Sequence, residues 1–428
     1  MKKIIIFVLK ILSTMVLRKY KPEVIAITGS VGKTSAKEAI SQMLSSKFNI
    51  MSSKGNFNNE IGVPLTILGF RRSPNKSIIG WISVCLKSLN KIFKNDKNYP
   101  EKLILEMGAD HPGDIGYLTN FIPINIGIIT KISKVHIEYF KTIEAIAKEK
   151  TKIFQNIKKD GWAILNGDDE VLCKYKSQLK CNIMTYGITN EADILATDLQ
   201  ILRQGDFIGM NFKVHYKGNV VPIFLPGALG IPQVYSFLAG IAVSLIYGIN
   251  LVEISILAKK YFSPRGRTNL IKAINNAFII DDTYNSSPEA LKIAIDLLIE
   301  MKQYIHGKKI VVLGDMLELG EDSAELHRDI GEYIWNKKEI DYVFTIGNNT
   351  KDLHEVVVSK EFNKNNCVHF NNQQDLIDHL KSVINNDDLV LIKGSQGARM
   401  ERVVKAIMHD KKLAKDLLVR QDKSWINK

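Results

Sequence analysis

Residues 24–35, VIAITGSVGKTS, limit the fold more than any other stretch of the chain. Val24 to Thr28 is a short β-branched apolar run ending in Gly29, and Lys33 to Lys47 follows with helical spacing. Strand, glycine-rich turn and helix in that order leave backbone N–H groups pointing at a helix N-terminus, which suits a phosphate. Gly29, Ser30, Val31, Gly32, Lys33, Thr34 and Ser35 are therefore the expected nucleotide-binding loop. Lys33 supplies charge near the transferred phosphoryl group, and the Thr34 hydroxyl is a magnesium ligand. Ile27 stands where the common phosphate loop has its first glycine, so this is the shorter G-x-x-G-K-[ST] form.

Beyond that loop the chain alternates strand and helix patterns. Strands are expected at Leu103 to Leu105, Ile126 to Thr130 and Ala163 to Leu165, with a hairpin around Phe207 to Phe224. After Arg267 the pattern restarts at Ala277 to Ile280, Ile310 to Leu313, Tyr342 to Ile346 and Leu389 to Ile392. Two successive α/β units follow from this: a P-loop-type central ATPase domain with a mainly parallel sheet, then a Rossmann-like C-terminal domain.

Nine segments run in the order of one family: AITGSVGKTSAKEAI, SKGNFNNEIGVPLTIL, LILEMGADHPGDIGYL, IITKISKVHIEYF with IAKEKTKIF, ILNGDD, SPRGRT, IDDTYNSSPEAL, VVLGDMLELGEDSAELH and LIKGSQGARME. Together they resemble the Mur ligase family, specifically its MurF type. The resemblance implies an ATP- and Mg²⁺-dependent carboxylate–amine ligase working through an acyl phosphate. Its substrates would be a UDP-muramoyl peptide as carboxylate donor and a D-alanyl-D-alanine-type dipeptide as acceptor. Two alternatives stand beside it: a paralogous ligase acting on another, lipid-linked or secondary-metabolite carboxylate, and a non-catalytic ATP-binding scaffold.

The resemblance also assigns residues. Glu106 and His136 become magnesium ligands, and Lys150 becomes the lysine that carries a carbamate and acts as a further metal ligand; Lys33, His136 and Lys150 form the catalytic set. Read without the family, Glu106 is a strand-end carboxylate, His136 a loop histidine, and Lys150 one lysine of a lysine-rich, solvated helix. Asn56, Asn58 and Asn59 are matched to the donor. Arg267, Asp282, Tyr284 and Asn285 are matched to ATP contacts of the C-terminal domain. Asp315, Lys393, Gly394, Ser395 and Arg399 are matched to the acceptor side, while His327 reads as a satisfied surface histidine.

Departures from the pattern bear on the donor. Gly29 follows only 28 residues, too few for the usual folded uridine-binding domain. The family's G-x-H-x-x-x-N segment reads GIPQVYS, with Pro232 and Ser236 at the His and Asn positions, and KGSR reads KGSQ, leaving Arg399 as the nearest replacement cation. The domains expected are an apolar, basic segment at 1–22, a central domain at 23–268 and a C-terminal domain at 269–428.

Charge completes the reading. Of 58 Lys and Arg against 45 Asp and Glu, residues 1–100 hold 17 against 4, so the net charge of +13 sits in the first quarter of the chain. These cations interleave with aliphatic runs at 4–17 and 71–100, the latter a basic amphipathic insert, and no stacking platform or recognition motif for nucleic acid accompanies them. The run from Ile4 to Leu17 is shorter than the roughly 20 residues a spanning helix needs. Peripheral contact with an anionic inner membrane leaflet is the expectation. Four cysteines without CxxC spacing fit a reducing, cytoplasmic compartment.

Overall fold

In the computed structural model the described residues are 2–55, 57–74, 77–133, 137–189, 191–205, 207–360, 362, 365–422 and 425. The chain forms two compact units. One comprises Met1–Leu199, Phe212–Phe224 and Ile231–Tyr261; the other comprises Gln200–Asn211, Leu225–Gly230 and Phe262–Lys428.

The larger sheet contains β1 (Glu23–Thr28), β2 (Ile50–Ser52), β3 (Lys102–Glu106), β4 (Ile124–Ile129), β5 (Ile157–Asn166), β6 (Asn182–Gly187), β7 (Ile194–Gln204), β8 (Phe207–Tyr216) and β9 (Asn219–Pro226) in the order β2-β3-β1-β4-β5-β6-β7-β8-β9. The ladders from β2 through β7 are parallel. β1 lies between β3 and β4 and is buried from Val24 to Thr28, which explains its unbroken apolar run: a central parallel strand has no solvent face. The strand ends therefore bring Thr28, Glu106 and Thr130 side by side, the usual ligand edge of such a sheet.

The second unit carries a sheet of β10 (Asn269–Lys272), β11 (Phe278–Asp282), β12 (Lys309–Gly314), β13 (Tyr342–Ile346), β14 (Cys367–Phe370) and β15 (Leu389–Lys393) in the order β10-β11-β15-β12-β13-β14. Only β10 pairs antiparallel. The mixed α/β architecture agrees with the sequence reading. His327 corrects it: the ring is fully buried, Met316 N–H donates to Nε2 at 3.2 Å, and Nδ1–H donates to the Ser323 carbonyl at 2.7 Å.

Helix α1 (Lys2–Tyr20) packs beside α3 (Gly62–Ile67) and α4 (Ile78–Phe93). Its inner side chains, Leu9, Leu12, Val16 and Leu17, belong to the same core as β1 and β3. At its end the Lys19 ammonium donates to the carbonyls of Ile92 (2.9 Å) and Lys94 (2.6 Å), and Tyr20 Oη donates to that of Lys91 (2.7 Å). Those carbonyls are the orphan acceptors at the C-terminus of α4, where a cation is favoured. Among the described residues, no helix is long and apolar enough to cross a membrane.

Candidate active site

The site is built where β1 turns into α2 (Lys33–Leu44). Gly29 has φ +148°, and a Cβ there would lie 2.0 Å from Thr130 Oγ1; Gly32 has φ +84°. Only glycine fits the first position, because β4 comes too close, and the second is left-handed. Thr130 Oγ1 donates to the Val31 carbonyl at 2.5 Å, Ser30 N–H donates to the Lys131 carbonyl at 2.7 Å, and Ser30 Oγ donates to the Ser133 carbonyl at 3.0 Å. The loop is thus clipped to the end of β4. The Lys33 ammonium folds back onto the Gly29 (2.7 Å) and Ser30 (3.3 Å) carbonyls, within the loop that would hold a phosphate.

Glu106 is the centre of convergence. Its carboxylate, 2% exposed, accepts from Thr34 Oγ1 at 3.1 Å to both oxygens and from Asn58 Nδ2 at 3.5 Å. The Lys37 ammonium stands 3.4 Å away, from a side chain with no solvent exposure. Asn59 Oδ1 instead accepts from Ile61 and Gly62 N–H at 3.2 and 2.9 Å and starts α3. Asn56 and His136 lie outside the described residues.

Lys150, at the end of helix Ile143–Lys150, is 2% exposed, which corrects the reading of a solvated lysine. Burial, reinforced by the nearby Lys33 charge, pushes its pKa down to about 7. Neighbouring Glu149 accepts from Ile115 N–H at 2.9 Å and pairs with Lys152 at 2.5 Å. The structure thus brings Thr34, Asn58 and Glu106 together and sets Lys150 within electrostatic reach of Lys33. Lys37 was missed from the sequence. Its signal was the four-residue step from Lys33, which puts both ammonium groups on one helix face.

Within the second unit, Lys393 Nζ donates to Asp282 Oδ2 at 2.6 Å and to the Asn285 carbonyl at 2.9 Å. Arg267 lies over the Tyr284 ring, 4.2 Å from its centroid. Ser395 Oγ donates to the Ser286 carbonyl at 3.3 Å, and Gly394 packs against Gly314, where a Cβ would stand 3.2 Å from its Cα. Two matched residues have structural partners. The Asp315 carboxylate accepts from the N–H groups of Asn348, Asn349 and Thr350 at 3.0–3.1 Å, at the start of helix Thr350–Ser359. Arg399 pairs with Glu401 at 2.7 Å and donates to the Trp425 carbonyl at 3.0 Å.

Comparison with known proteins fits this geometry. The Mur ligase middle domain matches residues 27–79 and 86–244, and the Mur ligase glutamate ligase domain matches 266–396. The UDP-N-acetylmuramoyl-tripeptide–D-alanyl-D-alanine ligase of Buchnera aphidicola subsp. Baizongia pistaciae is 32% identical over 90% of this chain and 75% of its own length. The chain belongs to the Mur ligase family. The Bacillus subtilis ligase of the same name is 31% identical over 92% of this chain and 77% of its own. The Thermotoga maritima MurF ligase, solved in complex with ADP, superposes with a TM-score of 0.74 at 25% identity, covering 96% of this chain and 84% of that one. An Acinetobacter baumannii MurF superposes with a TM-score of 0.76 at 25% identity over 92% and 79%. As a Mur ligase of this type the chain is an ATP-dependent, ADP-forming ligase.

The residues suit a nucleotide with a hard divalent cation. Mg²⁺ prefers hard oxygen ligands and is commonly held by one or two carboxylates together with substrate phosphates. Glu106 and the Thr34 hydroxyl, adjacent at the loop's helix, supply such oxygens without a dedicated cage. Bound there, magnesium would neutralise charge building on the phosphoryl oxygens.

Proposed function

We propose that the chain joins a D-alanyl-D-alanine-type dipeptide to the carboxylate of a UDP-muramoyl peptide, with ATP as the phosphoryl donor, for peptidoglycan synthesis. In this reading the central ATP-binding domain covers 23–268 and the C-terminal domain 269–428. The donor carboxylate is phosphorylated to an acyl phosphate, the dipeptide amine attacks its carbonyl carbon, and phosphate leaves as the amide forms. The observation that carries the reading is the convergence of Thr34, Lys37 and Asn58 on the buried Glu106 carboxylate beside the phosphate loop.

Each role follows from the chemistry of the group. The loop N–H groups and Lys33 hold the β- and γ-phosphates, Thr34 and Glu106 hold Mg²⁺, and Asn58 orients the donor beside them. Lys150 has the property a carbamate requires, since only a neutral amine adds CO₂, and a pKa of about 7 leaves a large neutral fraction. His136 is the further metal ligand. Arg267, at the end of the central domain, and Asp282, Tyr284 and Asn285 of the C-terminal domain contact ATP, and Lys393 with Gly394 and Ser395 faces the acceptor carboxylate. Asp315 and Arg399 act there through the loops they hold.

The experiment is phosphate release from ATP by the full chain with UDP-muramoyl tripeptide and D-alanyl-D-alanine, with mass analysis of the product. The expected result is ADP, phosphate and the pentapeptide adduct, with turnover lost when either substrate is omitted. ATP turnover with a different acid and amine, and none with this pair, overturns the substrate assignment. We further propose a cytoplasmic enzyme in peripheral contact with the membrane, and no nucleic-acid partner. The outward apolar side chains of α1 and α4 favour a second donor reading, a lipid-linked muramoyl peptide, tested in the same assay with the donor in vesicles.

A further inference from the structure

α1 and α4 are apolar on two sides. Leu9, Leu12, Val16 and Leu17 of α1, and Val84 of α4, face the core. On α1, Ile4 (68% exposed), Phe7 (63%), Ile11 and Met15 follow one another at steps of three or four residues and form a single outer stripe. On α4, Ile78, Ile79 (81%), Ile82, Leu86 and Phe93 (80%) are exposed and fall within one outer face of the helix. An exposed apolar stripe rimmed by polar residues marks an interaction surface.

We propose that this pair of helices is a docking surface for an anionic lipid leaflet, with both helices lying in the interface rather than crossing it. The inference deepens the membrane contact proposed above and does not depend on the identity of the substrates. Charge selects the occupant. Neither helix contains an Asp or Glu, while α1 carries Lys2, Lys3, Lys10, Arg18 and Lys19 and α4 carries Lys87 and Lys91. Lys3, Arg18, Lys87 and, just past α4, Lys94 and Lys97 are exposed around the stripes. A second copy of the chain would set these cations against their own kind. Anionic headgroups complement them while acyl chains take up the aliphatic side chains. The composition also separates this surface from a protein interface, where Tyr, Trp and Arg anchors concentrate and Lys is depleted.

Lys19 and Tyr20 fix the two helices to one another, so the two stripes act as one surface. Two marginal anchors acting together give stable attachment where one gives little. The surface is also tied to the substrate loop: Lys2 pairs with Glu60 at 3.0 Å, beside Asn59, and Ser13 Oγ donates to the Pro64 carbonyl of α3 at 3.4 Å.

The test is sedimentation of the full chain with phosphatidylcholine vesicles with and without phosphatidylglycerol, at low and high salt. Expected is binding to the anionic vesicles alone, weakened by salt, and reduced about tenfold or more in the double variant Ile79→Glu/Phe93→Glu. Lys87→Glu/Lys94→Glu serves as a second variant of exposed residues and is expected to lose about tenfold in binding along with much of the salt dependence. No binding of the unaltered chain to anionic vesicles overturns the proposal, as does full binding by the folded Ile79→Glu/Phe93→Glu variant. A concentration-dependent dimer without lipid that the same variant abolishes assigns the face to a second copy and also overturns it. Both variants are expected to keep ligase turnover on water-soluble substrates, so failure of docking is read separately from failure of the ligase assignment.

Discussion

The two units treat buried charge differently at their strand ends. In the first, three lysines gather around the phosphate loop: Lys33 folds onto loop carbonyls, Lys37 leans on Glu106 at 3.4 Å, and Lys150 is buried with its pKa drawn down. In the second, Lys393 meets Asp282 at 2.6 Å, and Glu401 meets Arg399 at 2.7 Å and Arg420 at 3.1 Å. In the first the lysines border a loop shaped for phosphate; in the second each cation meets a carboxylate of the same unit. Charge in the first unit therefore borders the nucleotide loop, and charge in the second also holds the fold together.

Substitutions can break that contrast. The largest effect is expected for Lys33→Ala, a loss of turnover on the order of 10⁴-fold with little change in the thermal unfolding midpoint; a large fall in the midpoint would erase the distinction. Next comes Lys393→Met, which leaves the Asp282 carboxylate without its ammonium partner and is expected to cost about 3–5 kcal/mol of stability, read from urea unfolding of the full chain. Lys150→Ala should lower turnover by about 10²-fold and be restored in part by a short carboxylic acid that replaces the carbamate.

For unaltered Lys150 the sign with pH is fixed: the neutral amine that adds CO₂ declines as pH falls below about 7. Turnover and a ¹³C-carbamate resonance should decline together there.

An effect on stability alone belongs to Asp281. Burial pushes its carboxyl up to about 7, Thr283 Oγ1 donates to Oδ1 at 2.6 Å, and Oδ2 has no hydrogen-bond partner. An acid whose folded pKa is raised binds its proton in the folded chain while the unfolded chain has released it. Stability should therefore fall as pH rises from about 4 to 7. Asp281→Asn should remove that component of the slope in urea titrations.

Much of the fold was legible because buried parallel strands advertise themselves. Val24–Thr28 and Leu389–Ile392 are unbroken apolar runs, and both are strands. β2 and β14 escaped because three or four residues, most of them only half-buried, carry too little pattern. β7 escaped because its alternation of buried and exposed residues passes through Thr197, Asp198 and Gln200. The phosphate loop was legible from glycine and lysine spacing alone, whereas the burial of Lys150 and His327 was not. Each sits on a helix rich in charge, and what covers it comes from elsewhere in the chain. The same limit hid Lys37, whose importance rests on Glu106 arriving from β3, 69 residues later.

The two-faced character of α1 has a practical side. Its inner residues share a core with β1 and β3, and its first turn is tied to Glu60 beside the asparagine loop. Cutting the chain at residue 20 to obtain a more tractable protein would uncover Leu9's neighbours and loosen the phosphate-loop strand along with the outer apolar stripe. A preparation truncated in that way would report on damage to the catalytic body, so a purification tag belongs at the other end and changes to this helix belong on its outer side chains.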